Sequence, residues 1–177
     1  MKGMNVTMYK LGDNVVYPMH GAGKIESVEE KEILGEFKKY YILKMPIGEI
    51  KLMIPVDNVN NMGLRNIIDK DKINEVFDIL KQEVEKSNSN WNKRYRENMD
   101  KMRTGDIFKI AHIVRDLYYR DKERGLSTGE KKMLSNAKQM IISEIALSTN
   151  EDVESITESI DNFLSENIEC LLQKNAQ

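Results

Sequence analysis

Asn90-Trp91-Asn92-Lys93-Arg94-Tyr95-Arg96 sets the chain's single tryptophan among three cations within six positions. An indole offers a flat apolar face and cations attract phosphates, so the group suits nucleic acid, where bases and phosphates lie side by side. The competing reading packs Trp91 into a helical core with Tyr95 and Met99, which share its helical spacing. Spacing alone leaves both open.

His20-Gly21-Ala22-Gly23-Lys24 resembles a phosphate loop at first sight. Such a loop needs four residues between its glycines and a Ser or Thr after the Lys, so that backbone amides wrap the phosphates. Here Ala22 alone separates the glycines and Ile25 follows Lys24, so a hairpin or bulge is the better reading. No Ser, Cys or carboxylate stands at a spacing that makes a nucleophile set with His20. His112 shares a helical face with Phe108, Arg115 and Tyr119 and reads as a packed or surface histidine. Asp116, Asp121 and Glu123, interleaved with Arg115, Arg120, Lys122 and Arg124, read as paired charges on an exposed helix. The lone Cys170 excludes an internal disulfide and a Cys-rich zinc site, and His20 and His112 lie 92 positions apart. We therefore expect no catalytic residues, no metal, no cofactor and no enzymatic activity.

Two kinds of periodicity must position these residues. From Gly12 to about Ile68 the apolar runs are short: Val15 to Tyr17, Gly23 to Val28, Tyr40 to Met45 and Ile50 to Ile54. Each is bounded by a turn signal, and all three prolines fall in this stretch. Ile50, Leu52 and Ile54 alternate with Lys51 and Met53, the period of a strand with one face buried. Hairpin-sized connections leave no room for crossover helices, so a small bent antiparallel sheet of Tudor-like or SH3-like barrel type is expected.

After Asp69 the period becomes helical. Ile73, Val76, Phe77 and Leu80 form one stripe. A second helix starts near Asn90 and carries Trp91, Tyr95, Met99 and Met102. Asp106 caps a third, which ends at Gly125, and Ser127 with Glu130 forms a capping box on a fourth. Asn150 is expected to cap a fifth, with Glu151 and Asp152 in its first turn. The fold class expected is two-domain α+β: residues 1–68 a small β-barrel, residues 69–177 an all-α bundle of about five helices.

The 177 residues carry 27 basic and 29 acidic side chains, and 40% of them are hydrophobic. That is too apolar for a disordered chain and too charged for a membrane protein. Met1 to Val16 has no apolar signal core, so a cytoplasmic location without membrane attachment is expected. The net charge of −2 conceals a division: residues 1–85 carry −2, residues 86–140 carry +7 and residues 141–177 carry −7. A basic block on predicted helices is the footprint of phosphate binding.

Residues 11–23, LGDNVVYPMHGAG, resemble the opening signature of the CarD/CdnL family of bacterial transcription regulators, whose first domain is shared with transcription-repair coupling factors. NWNKRYREN at 90–98 and TGDIFKIAHIVRDLYYRDKERGLSTGEKKML at 104–134 are similar to the family's C-terminal domain. The likeness spans roughly residues 9–148. It implies a first domain that docks on the RNA polymerase β subunit, with Lys31, Lys51 and Met53 as candidate contacts. Met53 stands where an arginine is expected in relatives. It also implies a helical domain that contacts promoter DNA at the upstream edge of the melted bubble without reading sequence. Trp91 matches the family's minor-groove wedge, Lys93, Arg94 and Arg96 its basic neighbours, and Arg120 and Lys131 more distant phosphate contacts. The acidic stretch 141–177 departs most from the family. A monomer is expected, with a strand-swapped dimer as the alternative.

Overall fold

The computed structural model describes residues 9–84 and 90–175. Five strands, β1 Asn14–Tyr17, β2 Gly21–Ile33, β3 Glu36–Lys44, β4 Lys51–Pro55 and β5 Arg65–Asn66, form one antiparallel sheet in the order β4-β3-β2-β1-β5. Five helices follow: α1 Ile73–Leu80, α2 Trp91–Arg103, α3 Ile107–Arg124, α4 Thr128–Thr149 and α5 Val153–Asn175. This is the two-domain α+β architecture. The five-stranded antiparallel sheet is the small one expected of the Tudor-like type, and it is not closed into a full barrel. β4 pairs with β3 and the two-residue β5 with β1, so the two stand at opposite edges of the sheet.

Val15, Ile25, Tyr41, Leu43 and Ile54 fill one face of the sheet with Val56 and Val59. Tyr41 lies there without an unmet hydroxyl, accepting from Tyr9 N at 3.1 Å and donating to Tyr9 O at 3.2 Å. Ile50 is 57% exposed and precedes β4, so the buried alternation begins only at Leu52. The β2–β3 hairpin is longer than its apolar runs suggest. Beyond the bulge at Glu26 it continues to a tip at Leu34-Gly35, where Ile33, Leu34 and Phe37 are exposed. A ribbon solvated on both faces has no hydrophobic alternation to betray it.

The helices begin and end on their caps. Asn90 accepts from Lys93 N, Asp106 from Phe108 N, and Ser127 with Glu130 forms the complete capping box. Asn150 does not cap α5. It closes α4 instead, in a left-handed conformation at φ 62°, and Asp152 takes the Ser155 N–H in front of α5 at 2.8 Å. Asn tolerates that conformation better than most residues, which suits it to a helix end. α3 buries Ile110, Ala111, Ile113, Val114 and Leu117 around much of its circumference, as a central helix must. Met133, Ala137, Ile141 and Ile145 of α4 and Ile160 and Leu164 of α5 close the core around it.

The glycines of the His20–Lys24 segment serve packing. Pro18 and Met19 make the turn before β2, with His20 N donating to Tyr17 O at 3.0 Å and the His20 ring stacked on Tyr17. Gly21 has φ 95°, and a Cβ there would stand 2.7 Å from Ser143 Oγ of α4. Its absence lets the sheet lie on the bundle, where Ala22 N donates to that hydroxyl at 3.0 Å. Arg65 secures the same junction from β5. Its guanidinium forks onto the Glu144 carboxylate at 2.6 and 2.9 Å and also donates to Gly105 O. Glu144 is 2% exposed and accepts from Ile68 N as well, so its charge is fully answered.

Candidate nucleic-acid interface

Trp91 occupies the first turn of α2 and is 44% exposed, so the core-packed reading of this residue does not hold. Asn90 fixes the turn, and two contacts fix the ring. The indole stacks on Tyr95 with centroids 5.2 Å apart and planes 24° from parallel. Its Nε1 donates to Ser127 Oγ at 3.0 Å, across to the start of α4. One face and edge of the indole are thereby held while the remainder meets solvent.

A second tier supports the first. Ser127 Oγ also bonds Glu130, whose Oε1 receives Arg94 Nε and Nη2 at 2.8 and 2.6 Å. Glu130 is 3% exposed, and burial alone would raise its pKa. The Arg94 hydrogen bonds and charge, with those from Ser127, outweigh burial and hold the carboxyl below its usual value. A buried carboxylate of this kind needs its guanidinium.

The remaining basic residues divide by exposure. Lys93 and Arg96 are exposed in the first turns of α2, with only a long 3.8 Å approach from Lys93 to Glu97 and a 3.4 Å bond from Arg96 Nε to Asn92 O among the described residues. Lys131 is exposed in the first turn of α4 and has no ion pair among the described residues. Arg94 turns inward, and its side chain is only 12% exposed. Arg120 is partly buried on α3, its Nε shut from solvent without a hydrogen-bond partner among the described residues. Trp91, Lys93, Arg96 and Lys131 therefore share access to solvent, while Arg94 and Arg120 stand back.

On the sheet, Lys51 opens β4 and pairs with Glu26 at 2.7 Å, and Lys31 pairs with Glu29 at 3.3 Å. Met53 is 44% exposed on β4, whose outer edge has no partner strand among the described residues. Ser127, Glu130, Arg65 and Glu144 were not among the expected site residues. The capping-box spacing is the one signal that points to the first pair, and it does not disclose the indole contact.

Comparison with known families gives two adjoining matches. Residues 9–68 match the CarD-like/TRCF RID domain and residues 75–161 match the CarD, C-terminal domain. The chain belongs to the CarD family. It is also 41% identical over 138 residues to the Bacillus subtilis (strain 168) protein named "Putative transcription factor YdeB", a span covering 78% of this chain and 90% of that relative. Membership in the CarD family makes the chain a transcription regulator whose first domain is of the polymerase-interacting type. Among the described residues, no cluster of His, Cys, Asp or Glu has metal-binding geometry, and no helix is long and apolar enough to cross a membrane.

Proposed function

We propose that this CarD family member stabilises the promoter open complex, docking on the RNA polymerase β subunit through residues 1–68 and contacting DNA at the upstream edge of the bubble through residues 69–177. The observation that carries the reading is a half-exposed indole held by Tyr95 and Ser127 at the start of a helix that also bears exposed cations.

Prying a base step apart costs about a few kcal/mol, so a rigid aromatic ring inserts best where the duplex is already distorted. A ring oriented before contact loses little freedom on insertion. Lys93, Arg96 and Lys131 reach phosphates, which position the protein without reading sequence. Three such contacts give a log–log salt slope of about −3. Arg94 acts through Glu130 and Ser127 to hold the wedge.

Polymerase docking uses the open edge of β4. A strand of the β subunit pairing there would gain backbone hydrogen bonds, with Lys51, Lys31 and Met53 shaping the flanks. That mode makes the methionine at position 53 tolerable, because side-chain charge pairing carries less of the contact. The Arg65–Glu144 fork and the Ser143–Ala22 bond hold sheet and bundle in register, so a docked sheet aims Trp91.

Fluorescence anisotropy on fork-junction and fully paired DNA, beside pulldown of the β subunit, tests this. Wild-type protein should prefer the fork, Trp91→Ala should lose the preference and keep the pulldown, and equal binding to both DNAs would contradict the wedge.

A further inference from the structure

A cleft of about 660 Å³ opens between α2 and α3, lined among the described residues by Arg94, Glu97, Lys101, His112, Arg115 and Arg120, with Arg94 already engaged by Glu130. Most of its lining charges answer one another. Arg115, 7% exposed, bonds Asp116 at 2.7 Å and reaches Gln82 Oε1 at 3.3 Å, and Arg124 pairs with Glu123. Arg120 and Lys101 do not share in this. Neither side chain has a hydrogen bond or ion pair among the described residues, and Arg120 Nε is closed off from solvent as well. Among the described residues, the lining carboxylate Glu83 has no ion pair and Glu97 has only the 3.8 Å approach of Lys93, which lies outside the cleft. His112 adds no positive charge at neutral pH, because burial and then Arg115 lower its pKa.

A guanidinium drawn partly out of water with no counter-ion is costly, and an incoming anion offsets that cost. Its planar fork matches phosphoryl oxygens, which it grips in pairs. The cleft's size falls within the roughly 300–1,000 Å³ of small-molecule sites. Duplex DNA presents a broad convex backbone, and cations that reach it stand proud of the surface, as Lys93 and Arg96 do. Arg120 is recessed, which favours a small solute. We propose that this cleft binds a compact solute carrying two or more phosphoryl groups, with Arg120 and Lys101 as its main contacts.

Isothermal calorimetry on the full chain, titrated with sodium tripolyphosphate at fixed ionic strength, tests the proposal, with sodium sulfate as the control for charge alone. Saturable one-to-one binding of tripolyphosphate is expected, weakened about tenfold or more by Arg120→Gln. Lys101→Gln, at an exposed position on α2, should weaken it in the same direction, and thermal melts confirm that both variants fold. Trp91→Ala should bind tripolyphosphate as wild type does, which separates this proposal from the wedge. Absence of saturable binding, equal binding of sulfate, full affinity in both variants, or displacement of tripolyphosphate by duplex DNA would each overturn it.

Discussion

The Trp91 indole donates to the Ser127 hydroxyl at 3.0 Å, so one side chain both caps α4 and holds the ring at the start of α2. Two elements 36 positions apart in sequence are thereby joined at the point proposed to meet DNA.

Ser127→Ala removes the cap and the indole's acceptor together. Loss of an N-cap costs about 1 kcal/mol. The variant should melt at lower temperature, and Trp91 fluorescence should become more readily quenched by iodide. An unchanged quenching constant would show that the hydroxyl does not restrain the ring.

Arg94 is the residue whose loss should be felt most in this network. Arg94→Met leaves Glu130 charged and buried with no guanidinium, at a cost of about 3 kcal/mol in urea denaturation. Arg94→Met combined with Glu130→Gln should recover part of that loss, since the uncompensated charge is gone.

Glu130 also sets a dependence on pH. Its carboxyl titrates lower in the folded chain than its ordinary value of 4.5. The stabilisation is therefore complete above that value and fades as pH falls through the depressed folded pKa. Urea midpoints measured from pH 6 downward (roughly 6 to 3, bracketing the carboxylate range) should fall more steeply in wild type than in Glu130→Gln.

Arg65→Ala strips the fork from Glu144 and should cost about 2 kcal/mol or more. Arg65→Lys should recover little, because one ammonium cannot span both carboxylate oxygens and Gly105 O. If the junction aims the wedge, both variants should keep polymerase pulldown while shortening the open-complex lifetime.

Residues with local signals were readable from sequence. Asn90, Asp106, Ser127 and Gly125 mark helix ends by chemistry acting within one turn, and the switch from short apolar runs to helical stripes divides sheet from bundle. Asn150 misled because a residue between two helices can close one or open the next, and only its φ decides. Arg94 and Arg65 were hidden by distance. Their carboxylates lie 36 and 79 positions away, so no local spacing reveals that either guanidinium is already engaged. The long hairpin escaped notice because both of its faces meet water.

The central claim rests on the lifetime of promoter open complexes formed with cognate polymerase, measured after a competitor challenge for wild-type protein and Trp91→Ala. The account predicts a lifetime extended by wild type and returned close to the factor-free value by Trp91→Ala, with polymerase pulldown unchanged. An equally long lifetime with Trp91→Ala would contradict it.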